Sequence, residues 1–149
     1  MFDLPTEKVY NKKGYQVMRM KWSLQQLHKH NGKPFSFSGT FNFEKEIENI
    51  SDILGISEVE VEGIGRNVFE DDFKFDLHIR ATLTLEDART LEPVLYPLNL
   101  EVSEVFSTDP ENADAYFVEK NTIDLRPLVW ECILLEKPMR IVKEEVTDN

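Results

Sequence analysis

The chain of 149 residues has a single cysteine, Cys132. An intramolecular disulfide and a cysteine-based metal cluster are therefore excluded, and the cytoplasm is the default compartment. No run approaches the roughly 18 consecutive apolar residues that a membrane-spanning helix needs. Residues 1–15 lack the apolar stretch of a secretory signal. Glycine is scarce, and Gly63-Ile64-Gly65 lacks the third glycine and the following helix of a phosphate-binding loop. A Gly-x-Ser-x-Gly nucleophile elbow is absent too. Of three histidines, His28 and His30 are two apart, a poor ligand spacing on a helix, and His78 falls on the polar side of a strand. Acidic runs such as Glu70-Asp71-Asp72 read as solvated turns. No catalytic residue, metal site or cofactor is expected.

Cations are the next scarcity, and it is local. Residues 1–38 carry seven Lys/Arg and two Asp/Glu, a net of +5; residues 39–149 carry ten and 26, a net of −16. Such asymmetry marks an interaction segment, an acidic body that attracts cationic partners, or both. An acidic surface also serves solubility alone. In the basic part, Lys21-Trp22 and Leu27-His28-Lys29-His30-Asn31-Gly32-Lys33 mix cations with rings that stack on bases. Lys21, Trp22, His28, Lys29 and Lys33 are therefore candidate RNA contacts. The competing reading of Trp22 is a staple that packs a helix onto the core.

Residues 1–20 show no sustained apolar period and are expected to be a weakly structured extension. Met18 and Met20 are alternative translation starts. Ser23 predicts a capped short helix ending at Asn31-Gly32, where Pro34 prevents continuation. Residues 35–43 alternate apolar and polar, the pattern of a strand with one buried face. Residues 44–54 predict a helical turn closing at Gly55, and Ile56 to Val68 a second strand. Gly63 and Gly65 mark a bulge or a close backbone approach there. The clearest element runs from Phe73 to Leu85, with Phe73, Phe75, Leu77, Ile79, Ala81, Leu83 and Leu85 on one side. Val94 to Phe106 is a further strand that Pro97 pushes towards an edge or a bulge, and Ala115 to Glu119 a short one. Asp124 caps a helix running to about Lys137, with Pro127 in its first turn and Pro138 as its stop.

That helix carries more apolar residues than one face needs. Leu125, Leu128, Val129, Cys132, Ile133 and Leu135 form a broad stripe, so Cys132 reads as a buried, inert thiol. Trp130 and Leu134 fall opposite. Their cover is another part of this chain or, with Glu131, a protein partner, since tryptophan is favoured in binding hot spots.

The segment Thr122-Ile123-Asp124-Leu125-Arg126-Pro127-Leu128-Val129-Trp130-Glu131-Cys132-Ile133-Leu134-Leu135-Glu136-Lys137-Pro138-Met139 resembles the hallmark of the YceD family: Asp-Leu, Leu-Val, an acidic residue, a leucine-rich run and Pro-Met. Val61-Glu62-Gly63, the long strand, Arg89-Thr90-Leu91 and Met20-Lys21-Trp22-Ser23 follow in the family's order, so the resemblance covers roughly residues 20–140. It implies a role in the accumulation of large-subunit (23S) ribosomal RNA. Many members have Cys-x-Arg-Cys where this chain has Asp87-Ala88-Arg89-Thr90, so any metal-dependent role is not carried over. Arg89 is retained and joins the candidate RNA contacts.

The expected fold is α+β: a twisted, mostly antiparallel sheet, with closure into a barrel left open, packed with a C-terminal helix and a short N-terminal helix. Residues 21–140 form the single domain and 141–149 a tail. The expected function is non-enzymatic support of ribosome assembly, by direct RNA contact or by holding a basic large-subunit ribosomal protein. A hydrolase with dispersed carboxylates and a general acidic protein-binding module are the rivals. The carboxylate balance favours the protein partner.

Overall fold

A computed structural model describes residues 9–10, 16–17 and 20–138. Val9–Tyr10 (β1) and Gln16–Val17 (β2) pair antiparallel with each other. Lys21–Ser23 (β3) leads directly into the helix Leu24–His28 (α1). Ser23 Oγ accepts the Gln26 N–H at 3.1 Å, and Gln26 Oε1 accepts the Ser23 N–H at 2.9 Å. This reciprocal cap secures a helix too short to hold itself. β3 pairs with Thr122–Asp124 (β10), and the Leu125 N–H donates to the Met20 carbonyl at 3.2 Å, so fully buried Met20 belongs to the core.

The main sheet has six strands: Phe35–Phe41 (β4), Ile53–Ile56 (β5), Val59–Phe69 (β6), Asp72–Glu86 (β7), Pro93–Ser107 (β8) and Tyr116–Phe117 (β9). The order is β4-β6-β7-β8-β9, with β5 also on β7. All pairs are antiparallel except β8–β9, which is parallel. The order ends in two different strands, so the sheet is open and not a closed barrel. The unbroken alternation of β7 sets the faces. Phe73, Phe75, Leu77, Ile79, Ala81, Leu83 and Leu85 are all buried. Their neighbours Lys74, Asp76, His78, Arg80, Thr82 and Thr84 form the polar face.

Helix α2 (Leu125–Glu136) and α1 join the β3–β10 ribbon in one core on the apolar face. Asp124 caps α2, accepting the Arg126 N–H at 3.0 Å. Lys137 Nζ at its other end reaches Asp52 Oδ2 at 2.8 Å, which ties the helix to the start of β5. Arg126 fastens the loop after β4: its guanidinium donates to Glu46 Oε2 and to the Asn42 carbonyl, both at 2.7 Å, and lies over the Phe43 ring.

Four local expectations need correction. Residues 44–54 hold a 3₁₀ turn, Glu46–Asn49, but then enter β5, because Ile53 is buried opposite Leu85 on β7. The strand expected from Ile56 to Val68 breaks at Ser57-Glu58, where β7 exchanges β5 for β6 as its neighbour. Ser57 bridges the break, donating its N–H to the Thr82 carbonyl at 3.0 Å and accepting the Thr82 N–H on Oγ at 2.9 Å. The strand at residues 115–119 shrinks to Tyr116–Phe117. Leu135, placed on the buried stripe of α2, is 79% exposed, because it lies at one margin of the stripe, turned away from fully buried Ile133 in the same turn.

Gly63 and Gly65 serve a close approach. Both lie on the apolar face of β6, opposite Leu77 and Phe75. A Cβ on Gly65 would meet the Phe35 and Phe75 rings at 2.6 and 2.8 Å. The vacant positions admit an aromatic cluster of Trp22, Phe35, Phe37 and Phe75 with ring centroids 5.0–6.1 Å apart. Gly65→Ala is expected to lower the unfolding free energy by ~1–3 kcal/mol through overpacking. Chemical denaturation checks it; an unchanged midpoint would contradict this packing.

Candidate partner-binding face

The polar face has two kinds of rows. On β4, Ser36, Ser38 and Thr40 point to it; on β6, Glu60, Glu62, Ile64 and Arg66; on β8, Leu95, Pro97, Asn99, Glu101, Ser103 and Val105, by register with β7. Its middle is a shallow, open depression of about 940 Å³. Glu62, Asp76 and Glu101 line it with His78, Ser36 and Ser38. Three carboxylates from three adjacent strands thus converge on one surface.

Three cations share this face, Arg66, Lys74 and Arg80, and Arg80 is held by two carboxylates. Arg80 Nη2 donates to Glu62 Oε2 at 3.0 Å and to Glu60 Oε1 at 3.4 Å. Arg80 Nη1 lies 3.2 Å from His78 Nδ1, and His78 Nε2 contacts Asn99. His78 is therefore a half-buried member of a surface network. All these groups are wet, so each pair contributes little to stability. Glu60 and Glu62 together accept guanidinium geometry, and the depression beside them, lined by Glu62, Asp76 and Glu101 without a lysine or arginine, is the acidic part of the face.

The candidate RNA contacts do not form one surface. Trp22 is 6% exposed, stacked on Phe75 and edged by Phe35 and Phe37, so it offers no face to a base. His28 contacts Asp71 at 2.7 Å in the β6–β7 hairpin, and His30 stacks on Phe35. Exposed Lys29 and Lys33 flank that end of the sheet, while exposed Lys21 is on β3. Arg89 lies in the β7–β8 turn at the other end of β7. Phe73, beside His28, and Leu85, beside that turn, are separated by about 40 Å of strand at ~3.3 Å per residue.

The turn around Arg89 is built by Asp87, which in the sequence stands out only as the replacement of a cysteine. Asp87 is completely buried. Its Oδ1 accepts the N–H of Arg89 at 2.7 Å and of Thr90 at 2.9 Å. Its backbone pairs with Glu92 and Leu91, with Leu91 in the left-handed region at φ 65°. An acidic residue opening the six-residue connection 87–92 is the available sequence signal.

The α2 candidates are mostly accounted for within the chain. Trp130 stacks on Phe43 at 5.0 Å, and Trp130 and Leu134 are half-buried against the core. Glu131 receives a hydrogen bond from the Tyr116 hydroxyl. Cys132 lies half-buried beside Glu104 and Glu131. Burial first, then those carboxylates, push its thiol up to about 11, so it stays protonated and unreactive at neutral pH.

Glu104 points to the apolar side of β8, opposite Phe75. Burial, then the Glu131 charge, raise its pKa above the ordinary carboxylate value. A raised folded pKa means that the protonated form suits the fold. The associated stability is present at low pH and is lost as pH rises through the folded value. Glu104→Gln is therefore expected to raise the melting temperature near neutral pH, with the gain vanishing below about pH 4. A gain that grows on acidification would contradict the assignment.

Among the described residues, no group of three or more His, Cys, Asp or Glu is placed to hold a metal ion. None of their helices is long and apolar enough to cross a membrane. The family described as Large ribosomal RNA subunit accumulation protein YceD matches residues 75–149. A Bacillus subtilis (strain 168) protein described as the uncharacterized protein YlbN is 37% identical over 129 residues, covering 84% of this chain and 74% of that one. No solved structure matches. The long strand β7 and helix α2, which carries the Asp-Leu, Leu-Val and Glu run, lie almost wholly in the matched stretch, and the chain belongs to the YceD family of large ribosomal RNA subunit accumulation proteins.

Proposed function

We propose that this protein supports large-subunit ribosomal RNA accumulation by binding, without catalysis, a basic protein of the assembling subunit in the cytoplasm. The family assignment supplies the ribosomal context. The observation that carries the binding mode is the convergence of Glu62, Asp76 and Glu101 on one open depression, beside an arginine already held by Glu60 and Glu62. A cationic protein segment is steered to that acidic depression, whereas phosphates are repelled from it. The RNA candidates are divided between opposite ends of β7 or buried, so a continuous phosphate-tracking groove is not assembled from them. A hydrolase would need its carboxylates to face each other across an enclosed site, and these share one exposed sheet surface.

The test is a triple variant, Glu62→Gln, Asp76→Asn and Glu101→Gln, compared with the wild type for capture of basic large-subunit ribosomal proteins. The side chains are exposed or at the rim, so the fold should survive and the melting temperature verify it. Capture should fall by roughly tenfold or more, with a weaker dependence on salt. Undiminished capture by the folded variant contradicts the proposal.

A further inference from the structure

The two long edges of the main sheet are protected differently. On the side away from β7, β8 has no partner strand along Pro93–Val105 among the described residues, since β9 pairs only with Phe106 and Ser107. Pro93 and Pro97 guard that edge, because proline has no N–H to offer an incoming strand. β4 pairs with β6 through all seven residues, Phe35 to Phe41, and its other edge has no partner strand among the described residues. It contains no proline, no charged residue and no register shift. Natural sheets rarely leave such an edge unguarded, because it is a template for another strand.

The side chains around this edge specify what fits. On the apolar face, Phe35, Phe37 and Phe41 would flank the added strand, favouring apolar residues at alternate positions. On the polar face, the small side chains of Ser36, Ser38 and Thr40 lie between the edge and β6. Ser38 is opposite Glu62 and Thr40 opposite Glu60. The two carboxylates are one strand further in, within reach of a lysine or arginine extending over a serine or threonine. Arg80 approaches the same carboxylates from β7 on the opposite side, and each carboxylate retains acceptor capacity.

We infer that an extended segment alternating basic and apolar residues, from a protein partner, adds to the sheet along β4. Its backbone pairs with Phe35–Phe41 and its cations reach Glu60 and Glu62. This rests on the basic-partner reading above and deepens it by naming the partner's conformation and its register. The net charge of −11 disfavours a second copy of this chain as the occupant.

The probe is a capped peptide of alternating lysine and valine, about as long as β4. Controls replace lysine with glutamate, or valine with proline, which removes the pairing N–H groups. Binding is measured by fluorescence anisotropy and by amide hydrogen exchange, residue by residue. The lysine–valine peptide should protect β4 amides, and both controls should fail. Ser38→Lys, at an exposed position, should weaken binding by ~10-fold or more by placing beside Glu62 a cation that repels and displaces the peptide's lysines. Binding with no β4 protection and no effect of Ser38→Lys would overturn the edge inference and leave the acidic-face reading standing. Absence of binding by any lysine-containing peptide would overturn both. Protection of β4 without peptide, rising with protein concentration, would make a second copy the occupant and overturn the inference.

Discussion

Phe75→Ala is expected to lower the unfolding free energy by ~3–5 kcal/mol. Phe75 is completely buried near the start of β7. Trp22 stacks on it at 5.5 Å, and Phe35, Phe37 and Phe106 meet it at 5.5–6.0 Å. Truncation removes the ring and leaves a cavity at the junction of β3, β4, β6 and β8. Gly65 opposite has no side chain with which to fill it. The cost should therefore lie in the upper part of the usual range for core phenylalanines. Urea unfolding of the two proteins measures it, and a loss below about 1 kcal/mol would mean that the aromatic cluster does not organise the core.

Asp87→Ala should destabilise by about 2–4 kcal/mol, through hydrogen bonds rather than volume. The buried carboxylate accepts two backbone N–H groups of the β7–β8 turn. Without it, both donors lose their partner in a turn that also holds Leu91 in a left-handed conformation. Asp87→Asn keeps one acceptor oxygen and should cost less than alanine. This chain thus organises the turn with a hydrogen-bonded carboxylate. Equal stability of the alanine variant and wild type would contradict that account. The same substitution tests whether Arg89 depends on the turn for its position.

Phe75 illustrates what was legible in the sequence. Period-two alternation from Phe73 to Leu85 identified the buried face of β7, because that strand has one apolar and one polar side. Ser23, Asp124 and Pro138 bounded the helices because caps and breakers act locally. β5 was hidden because a short strand with Gly55 in its middle has no alternation to read. β3 and β10 were hidden for a different reason: each is three residues long and exists only through its pairing with the other. Exposed Leu135 shows the limit of helical periodicity, which assigns a stripe but not how much of its margin is covered.

The candidate surface was legible as charge and not as shape. Counting residues revealed an acidic body. Only the register of β6, β7 and β8 brings Glu62, Asp76 and Glu101 together, since they are remote in sequence and neighbours in the sheet. Trp22 lost its role as a stacking platform for a similar reason. Its position beside lysine suggested a surface, whereas Gly63 and Gly65, forty residues away, open the space that takes it inside.

The most direct test of a basic protein partner is a tagged pull-down from cell lysate at low and at physiological salt, scored for protein and RNA in the same eluate. A basic large-subunit ribosomal protein should co-purify, resist nuclease treatment of the lysate, and weaken as salt rises. High-affinity retention of ribosomal RNA at physiological salt, with no basic protein in the eluate, would contradict the account and make direct RNA recognition the mechanism.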